Sequence, residues 1–160
     1  DFDTFETVNT NRQYGASVST QGDSKLDVMV EKALDINPYL SLRKYPVGIS
    51  SRNIDYFLKD VDIVVDSIDF FSFETRRMLF KKAAEKGIPV ITAGPVGFST
   101  AVLVFSPTGI GFDEYFNIND SMSTTDKYLH FGMGLAPKHT QTKYMKFNTV
   151  DLNKKTASVP

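Results

Sequence analysis

The sequence predicts an α/β domain with a mostly parallel sheet and helices on both of its faces. Two short β-branched runs, residues 61–66 and 88–92, are typical of strands that are buried on both sides. Between them, residues 73–86 show the apolar spacing of a helix. Strand, helix and strand in succession indicate a βαβ unit, and such units build parallel sheets.

The first predicted element is a helix near the start of the chain. Asp23 or Ser24 is placed to cap it, and apolar residues recur at helical spacing until about Asp35. The Asn-Pro pair at 37–38 ends the helix, because the residue before a proline disfavours helical backbone angles. Residues 40–47 then alternate apolar and polar side chains, which predicts a strand.

Two helices are predicted in the middle of the chain. A short one covers residues 53–58, with Ser51 as its predicted cap. The longer one, residues 73–86, follows Ser72, which is a good capping residue, and it stops at Gly87.

The pattern weakens after the strand at 88–92. Residues 101–105 predict a further strand of the βαβ series. Residues 109–120 predict a loop. We assign its aromatic side chains, Phe112, Tyr115 and Phe116, to the core, with contact to a partner as the alternative. Residues 123–131 predict a short helix, and residues 143–152 an edge strand.

Composition excludes several classes of function. The 160 residues carry a net charge of -1, which gives no general attraction to nucleic acid or to anionic membranes. No cysteine is present, so disulfides, thiolate zinc sites and a cysteine nucleophile are excluded within this chain. Apolar stretches fall far short of the roughly 20 residues of a membrane helix. These features favour a cytoplasmic enzyme, and we interpret the chain as part of a larger domain.

The first 25 residues combine side chains that suit a nucleotide. Asp1 and Asp3 are placed to follow a strand, where a carboxylate can accept hydrogen bonds from both ribose hydroxyls. A solvated loop explains them equally well. Arg12 offers a planar fork of donors for phosphate, and Lys25 opens a helix at the end where the dipole disfavours cations. Both cations are expected to be exposed. An arginine or a lysine without a function would also be exposed, so a role as ordinary surface residues is the alternative.

A second acidic group follows the strand at 61–66. Asp66 closes this strand, and Asp69 is a candidate ligand for a magnesium ion that bridges phosphates. Helix capping is the alternative role of Asp69, although Ser72 is the better cap. Because ligands of such sheets bind at the carboxyl ends of strands, we expect Asp66 and Asp69, Asp1 and Asp3, and the segment 94–97 to line one crevice.

Five motifs in this order resemble the E1-like superfamily, the ThiF/MoeB/HesA group. The motifs are Asp1-Phe2-Asp3, Asn9-Thr10-Asn11-Arg12-Gln13, Lys25, Ile36-Asn37-Pro38 and Asp69. Their order and spacing match the family through about residue 105. The resemblance implies a Rossmann-like partial domain, with residues 1–106 as the adenylation core and residues 107–160 as an extension that contains the substrate loop.

The resemblance also implies a role for each motif residue. The residues implied to bind ATP are Asp1, Asp3, Asn9, Arg12, Gln13 and Lys25. Arg12 and Lys25 are further implied to be catalytic, together with Asp69, which acts through Mg²⁺. In the family, a glycine-rich nucleotide loop precedes the Asp-x-Asp motif. This loop is not in the sequence, so the resemblance implies that these 160 residues alone bind ATP poorly and are inactive.

The function that the resemblance implies is ATP-dependent adenylation. The substrate is the C-terminal carboxylate of a small ubiquitin-like or sulfur-carrier protein or peptide, and the enzyme is a homodimer. The sequence departs from the family in having no Cys-x-x-Cys pair for structural zinc, so we expect no zinc. Two other functions stay open. One is an E1-like scaffold or dimerisation module without catalysis, which would not need two cations and an acid of this kind. The other is a nicotinamide-dependent oxidoreductase, which the βαβ pattern permits.

Overall fold

The structure, a computed structural model, describes residues 2–96, 99–138 and 140–144. Its contacts divide the chain into two compact units, Asp1–Ser50 and Ser51–Pro160. The helices are α1 (Lys25–Ile36), α2 (Ile54–Phe57), α3 (Phe73–Glu85), α4 (Phe112–Tyr115) and α5 (Thr124–Leu135). The strands are β1 (Val64–Asp66), β2 (Val90–Val96) and β3 (Ser99–Phe105). The predicted boundary after residue 106 stays a prediction.

The first unit is organised around the start of α1. Ser24 caps this helix as predicted, since its side chain accepts a hydrogen bond from the backbone N–H of Asp27. An isolated antiparallel bridge joins Thr4 to Ser24. Phe5 and Val28 are the buried apolar side chains among the described residues of this unit. The bridge therefore brings the first residues of the chain alongside the first turn of α1.

The predicted strand at 40–47 is wrong. These residues form no strand, and the apolar side chains of Leu40 and Leu42 are exposed. A strand needs a neighbour that accepts and donates its backbone hydrogen bonds. The described part of the first unit, residues 2–50, contains no strand that supplies one.

The second unit contains a three-stranded sheet in the order β1-β2-β3. Strands β1 and β2 are parallel, with Val64 opposite Val90, and α3 connects them. The predicted βαβ unit and α/β class are thus confirmed. Strand β3 is antiparallel to β2, with Val90 opposite Phe105. Only two residues separate these strands, and a parallel connection needs a dozen or more. The sheet is therefore mixed.

Aromatic side chains fill the core of the second unit. Phe112 lies with its ring centroid 4.6 Å from Phe80 and 4.7 Å from Phe116, and Phe116 lies 4.9 Å from Phe131. The assignment of the aromatic residues in 109–120 to the core is confirmed for Phe112 and Phe116, which are buried. The segment is not purely a loop, because it contains α4.

Helix boundaries differ in detail from those predicted. Asn53, not Ser51, is the residue that precedes the first turn of α2. Helix α5 continues four residues beyond the predicted end at residue 131. The predicted strand at 143–152 falls mostly on residues outside the described ranges. Among the helices that the structure describes, none has the length and apolar character needed to cross a membrane.

Candidate functional site

The predicted site residues are distributed over both units. Asp3, Asn9, Arg12, Gln13 and Lys25 belong to the first unit. Asp69 belongs to the second unit, and Asp1 lies outside the described residues. The meeting of all these groups in one crevice stays a prediction.

Lys25 is held in place by Asp3. Its ammonium nitrogen lies 2.5 Å from Asp3 Oδ2, and its backbone N–H donates to the Asp3 carbonyl over 3.0 Å. The ammonium also lies 6.0 Å from the ring centroid of Phe5. The expectation that Lys25 is exposed is wrong, because only 12% of its side chain is accessible. The Asp3 carboxylate compensates the cation at a helix end where the dipole opposes it.

This arrangement stabilises the ionised form of Asp3. The hydrogen bond from Lys25 lowers the pKa of the Asp3 carboxyl, and a backbone hydrogen bond from Thr4 acts in the same direction. An ammonium group has three donors, and Asp3 occupies one of them. The pair can therefore present further Lys25 donors to an anion while the ion pair stays formed.

Arg12 is exposed and partly anchored. Its Nη1 donates to the Val8 carbonyl over 2.7 Å and to Asn11 Oδ1 over 3.0 Å. Within the described residues, its Nε and Nη2 donate to no protein group. A guanidinium carries five N–H donors in a planar fork. One edge of the fork therefore fixes the side chain, and the other can face an anion.

Asn9 shapes the turn that carries Arg12. It is buried, and its side-chain oxygen accepts a hydrogen bond from the backbone N–H of Glu6 over 2.9 Å. Its carbonyl accepts from the backbone N–H groups of Arg12 and Gln13. Gln13 itself is half-buried. Asn9 thus has a structural role, and direct contact of Asn9 or Gln13 with phosphate stays a prediction.

Asp69 presents a free carboxylate oxygen. Its Oδ2 accepts a hydrogen bond from the backbone N–H of Phe71 over 2.8 Å, and its carbonyl accepts from Ser72. These contacts form a turn that leads into α3. The side chain is exposed, and Oδ1 accepts no hydrogen bond from the described residues. This oxygen is available to a cation.

Asp66, in contrast, is fully engaged inside the protein. Its Oδ2 accepts from Arg76 Nε over 2.8 Å and from the Thr92 hydroxyl over 2.9 Å, and its Oδ1 accepts from the Ile68 backbone N–H. Its side chain is 0% accessible. The two carboxylates therefore differ in their surroundings. Asp66 is buried and hydrogen-bonded within the protein, whereas Asp69 is exposed to solvent.

Sequence reasoning missed Arg76. A signal for it exists, because Phe73, Arg76, Leu79, Phe80 and Ala83 share the buried face of α3. A single arginine at such a position needs a carboxylate or carbonyl partner nearby.

The loop that was predicted at residues 94–97 does not begin at Gly94. Gly94 and Pro95 lie inside β2, which continues to Val96 because Val96 pairs with Ser99 of β3. The expectation that Gly94 and Pro95 form a loop after the strand is wrong. Gly97 lies outside the described residues.

Asp69 can contribute one carboxylate to a magnesium site whose remaining ligands come from outside the described residues. The described residues contain no group of three His, Asp or Glu side chains that could enclose a metal. Mg²⁺ commonly binds one or two carboxylates, water and substrate phosphates. A single exposed carboxylate with a free oxygen fits this mode, in which a nucleotide completes the coordination.

This chain is similar in sequence to parts of several known proteins. The chain is 30% identical over 105 residues to a sulfur carrier protein adenylyltransferase of Thermus thermophilus. It is 35% identical over 101 residues to a tRNA threonylcarbamoyladenosine dehydratase of Haemophilus influenzae. The matches cover 66% and 62% of this chain. In both cases the match spans 38% of the relative's length.

A solved structure shows the same fold. E. coli MccB, solved with ATP, is similar with a TM-score of 0.58 and 19% identity, over 91% of this chain and 48% of that one. The model of the ThiF family matches residues 1–149. With this match, the α/β fold and the motif residues in their expected order, the chain belongs to the ThiF family of E1-like proteins.

Proposed function

We propose that this chain is part of an ATP-dependent adenylyltransferase that activates a carboxylate. The observation that carries the proposal is that three residues keep unused hydrogen-bonding or ligand capacity. Arg12 has a free guanidinium edge, Lys25 has further ammonium donors, and Asp69 has a free carboxylate oxygen. A scaffold that had lost catalysis would not need to keep all three.

The proposed reaction is an acyl adenylation. A carboxylate oxygen of the substrate attacks the α-phosphorus of ATP, the bond from this phosphorus to the bridging oxygen breaks, and pyrophosphate leaves. The products are an acyl adenylate and pyrophosphate. The carboxylate is already ionised at neutral pH, so no general base is needed. Catalysis then rests on positioning and on charge stabilisation.

Each residue has a distinct part in this reaction. Arg12 binds phosphate oxygens with the free edge of its fork. Lys25, oriented by Asp3, offsets negative charge that spreads over the phosphoryl oxygens. Asp69 would hold Mg²⁺, and the ion would supply positive charge beside the phosphate oxygens.

The proposed substrate is the C-terminal carboxylate of a small ubiquitin-like or sulfur-carrier protein or peptide. The Thermus thermophilus relative, named for a sulfur carrier protein, supports this choice. We further propose that the protein is a homodimer located in the cytoplasm.

A second candidate acceptor is a modified tRNA nucleoside. It is favoured by the 35% identity to the Haemophilus influenzae protein named as a tRNA threonylcarbamoyladenosine dehydratase. The net charge of -1 gives this chain no general affinity for nucleic acid. We therefore place the protein or peptide carboxylate first.

The test is ATP–pyrophosphate exchange with the full-length protein that contains this chain. We expect exchange that requires a carrier protein with a free C-terminal carboxylate and that stops when this carboxylate is amidated. Exchange that requires tRNA instead would establish the second candidate. Bound ATP without exchange in the presence of either acceptor would indicate the scaffold function and overturn the proposal.

A further inference from the structure

We propose that Arg76 is a positioning residue that fixes the turn carrying Asp69. This inference rests on the proposed function, because it assigns Asp69 a role with Mg²⁺. It adds a residue that neither the sequence motifs nor the proposed reaction includes.

One guanidinium group connects the strand end to the turn. Arg76 Nε donates to Asp66 Oδ2 over 2.8 Å. Its Nη2 donates to the carbonyl of Ile68, and its Nη1 donates to the carbonyl of Asp69 over 3.3 Å. All three nitrogen atoms of the fork are thus directed at residues 66–69.

The surroundings keep Arg76 in this orientation. Its side chain is 6% accessible. Its guanidinium carbon lies 4.8 Å from the ring centroid of Phe131, which covers it. Asp66, its charge partner, also accepts a hydrogen bond from the Thr92 hydroxyl through the same oxygen, Oδ2, over 2.9 Å.

Burial of the Arg76–Asp66 ion pair removes both charged groups from water, which costs free energy. A buried ion pair is often no more stabilising than apolar side chains of the same volume. What this pair provides is geometry, because Asp66 also accepts from the Ile68 backbone N–H over 2.9 Å. The backbone of Ile68 is therefore held at both its N–H and its carbonyl group, which belong to two successive peptide units.

Asp69 depends on this framework. Its side chain is exposed and receives one hydrogen bond from the described protein, from the Phe71 N–H. The direction of its free oxygen is therefore set by the backbone of the turn. Residues that orient a metal ligand commonly change metal affinity or activity about 10- to 100-fold when they are mutated.

The variant that tests the inference is Arg76→Lys. A lysine keeps a cation beside Asp66 but cannot donate to the carboxylate and to two carbonyls as a planar fork does. The matched control is Arg77→Lys. Arg77 lies on the same helix and binds Asp113 and Asp120, and within the described residues it makes no hydrogen bond or ion pair with the turn at 66–69.

Two measurements on the full-length protein report on the turn. The first is the Mg²⁺ concentration that gives half-maximal pyrophosphate exchange at saturating ATP. The second, which is independent of activity, is the hydrogen exchange rate of the Ile68 and Phe71 amides. For Arg76→Lys we expect an increase of about 10-fold in the Mg²⁺ requirement and faster amide exchange at both positions. For Arg77→Lys we expect neither change.

The outcomes separate the inference from the proposed function. If Asp69→Asn raises the Mg²⁺ requirement and Arg76→Lys does not, the inference is wrong and the proposed function stands. If Asp69→Asn leaves the requirement unchanged, the metal role of Asp69 is wrong, and the inference with it. Should Arg76→Lys be too unstable to assay, Thr92→Val removes a donor from the same Asp66 oxygen. It should raise the requirement by a smaller factor, and an unchanged requirement would overturn the inference.

Discussion

Single residues of the first unit divide into those that build the site and those that are available to a ligand. Asn9 is buried in the turn that carries Arg12, and Asp3 is bound to Lys25. Sequence motifs identified all four residues but could not separate these roles. The separation depends on tertiary contacts such as the bridge between Thr4 and Ser24, which places Asp3 beside α1.

Arg12→Ala should reduce adenylation far more than it reduces stability. Arg12 is exposed, so the free energy of unfolding should change by no more than about 0.5 kcal/mol. Loss of a charge-stabilising contact should lower the exchange rate about 10²-fold or more. Lys32→Ala, which removes another cation of the first unit, is the control and should retain the rate. Thermal melts beside pyrophosphate exchange make the comparison, and a large fall in melting temperature for Arg12→Ala would show a structural role.

The Asp3–Lys25 pair predicts a pH dependence. The pKa of Asp3 is lowered below its ordinary value of 3.8 by the hydrogen bond from Lys25. The pair therefore stabilises the fold above pH 3.8, and this contribution is lost as the pH falls through the lower pKa of the folded state. NMR titration of the Asp3 carboxyl carbon should show the low midpoint.

Lys25→Met should return the midpoint of Asp3 towards 3.8. Asp27 is the internal control, since Lys44 lowers the pKa of its carboxyl and Lys25 does not contribute to that shift. A midpoint of Asp3 that does not respond to Lys25→Met would show that another group controls its ionisation.

At the scale of secondary-structure elements, the sequence pattern correctly predicted helices whose ends are determined by neighbouring residues. Helix α1 has a Ser24 cap and a regular apolar spacing, and α3 ends before Gly87, which adopts a positive φ of 72°. Residues 40–47 have an equally regular alternation but no partner strand, and α4 is stabilised by aromatic packing that no local pattern shows. The predictions that were wrong concern elements whose formation depends on residues distant in the sequence.

The two glycines of α5 test how closely this helix packs. A Cβ atom at Gly134 would lie 2.3 Å from the ring of Phe116, whereas at Gly132 the nearest ring atom, on Phe70, is 3.9 Å away. Alanine normally stabilises a helix by about 0.5–1 kcal/mol relative to glycine. Gly132→Ala should show this gain, and Gly134→Ala should instead destabilise the protein by about 1–3 kcal/mol through overpacking. Denaturant unfolding of both variants gives the two values, and equal values would contradict the close packing.

At the scale of the whole molecule, stability is unevenly distributed. Among the described residues, Phe5 and Val28 are the buried apolar side chains of the first unit. The second unit contains the aromatic cluster and the sheet. Because local stability follows buried apolar contacts, the first unit should open more readily. The residues proposed to bind the phosphates of ATP thus lie in the less stable unit.

ATP should therefore protect the first unit selectively. In the full-length protein without nucleotide, we expect faster amide hydrogen exchange in α1 than in α3 or β2. A ligand that binds the folded form stabilises what it contacts, by RT ln(1 + [L]/Kd). Added ATP should slow exchange in α1 and in the turn of Arg12, with a smaller effect on β2. Arg12→Ala should abolish this protection, whereas Lys32→Ala should preserve it. Protection confined to the second unit would contradict the assignment of the phosphate-binding residues to the first.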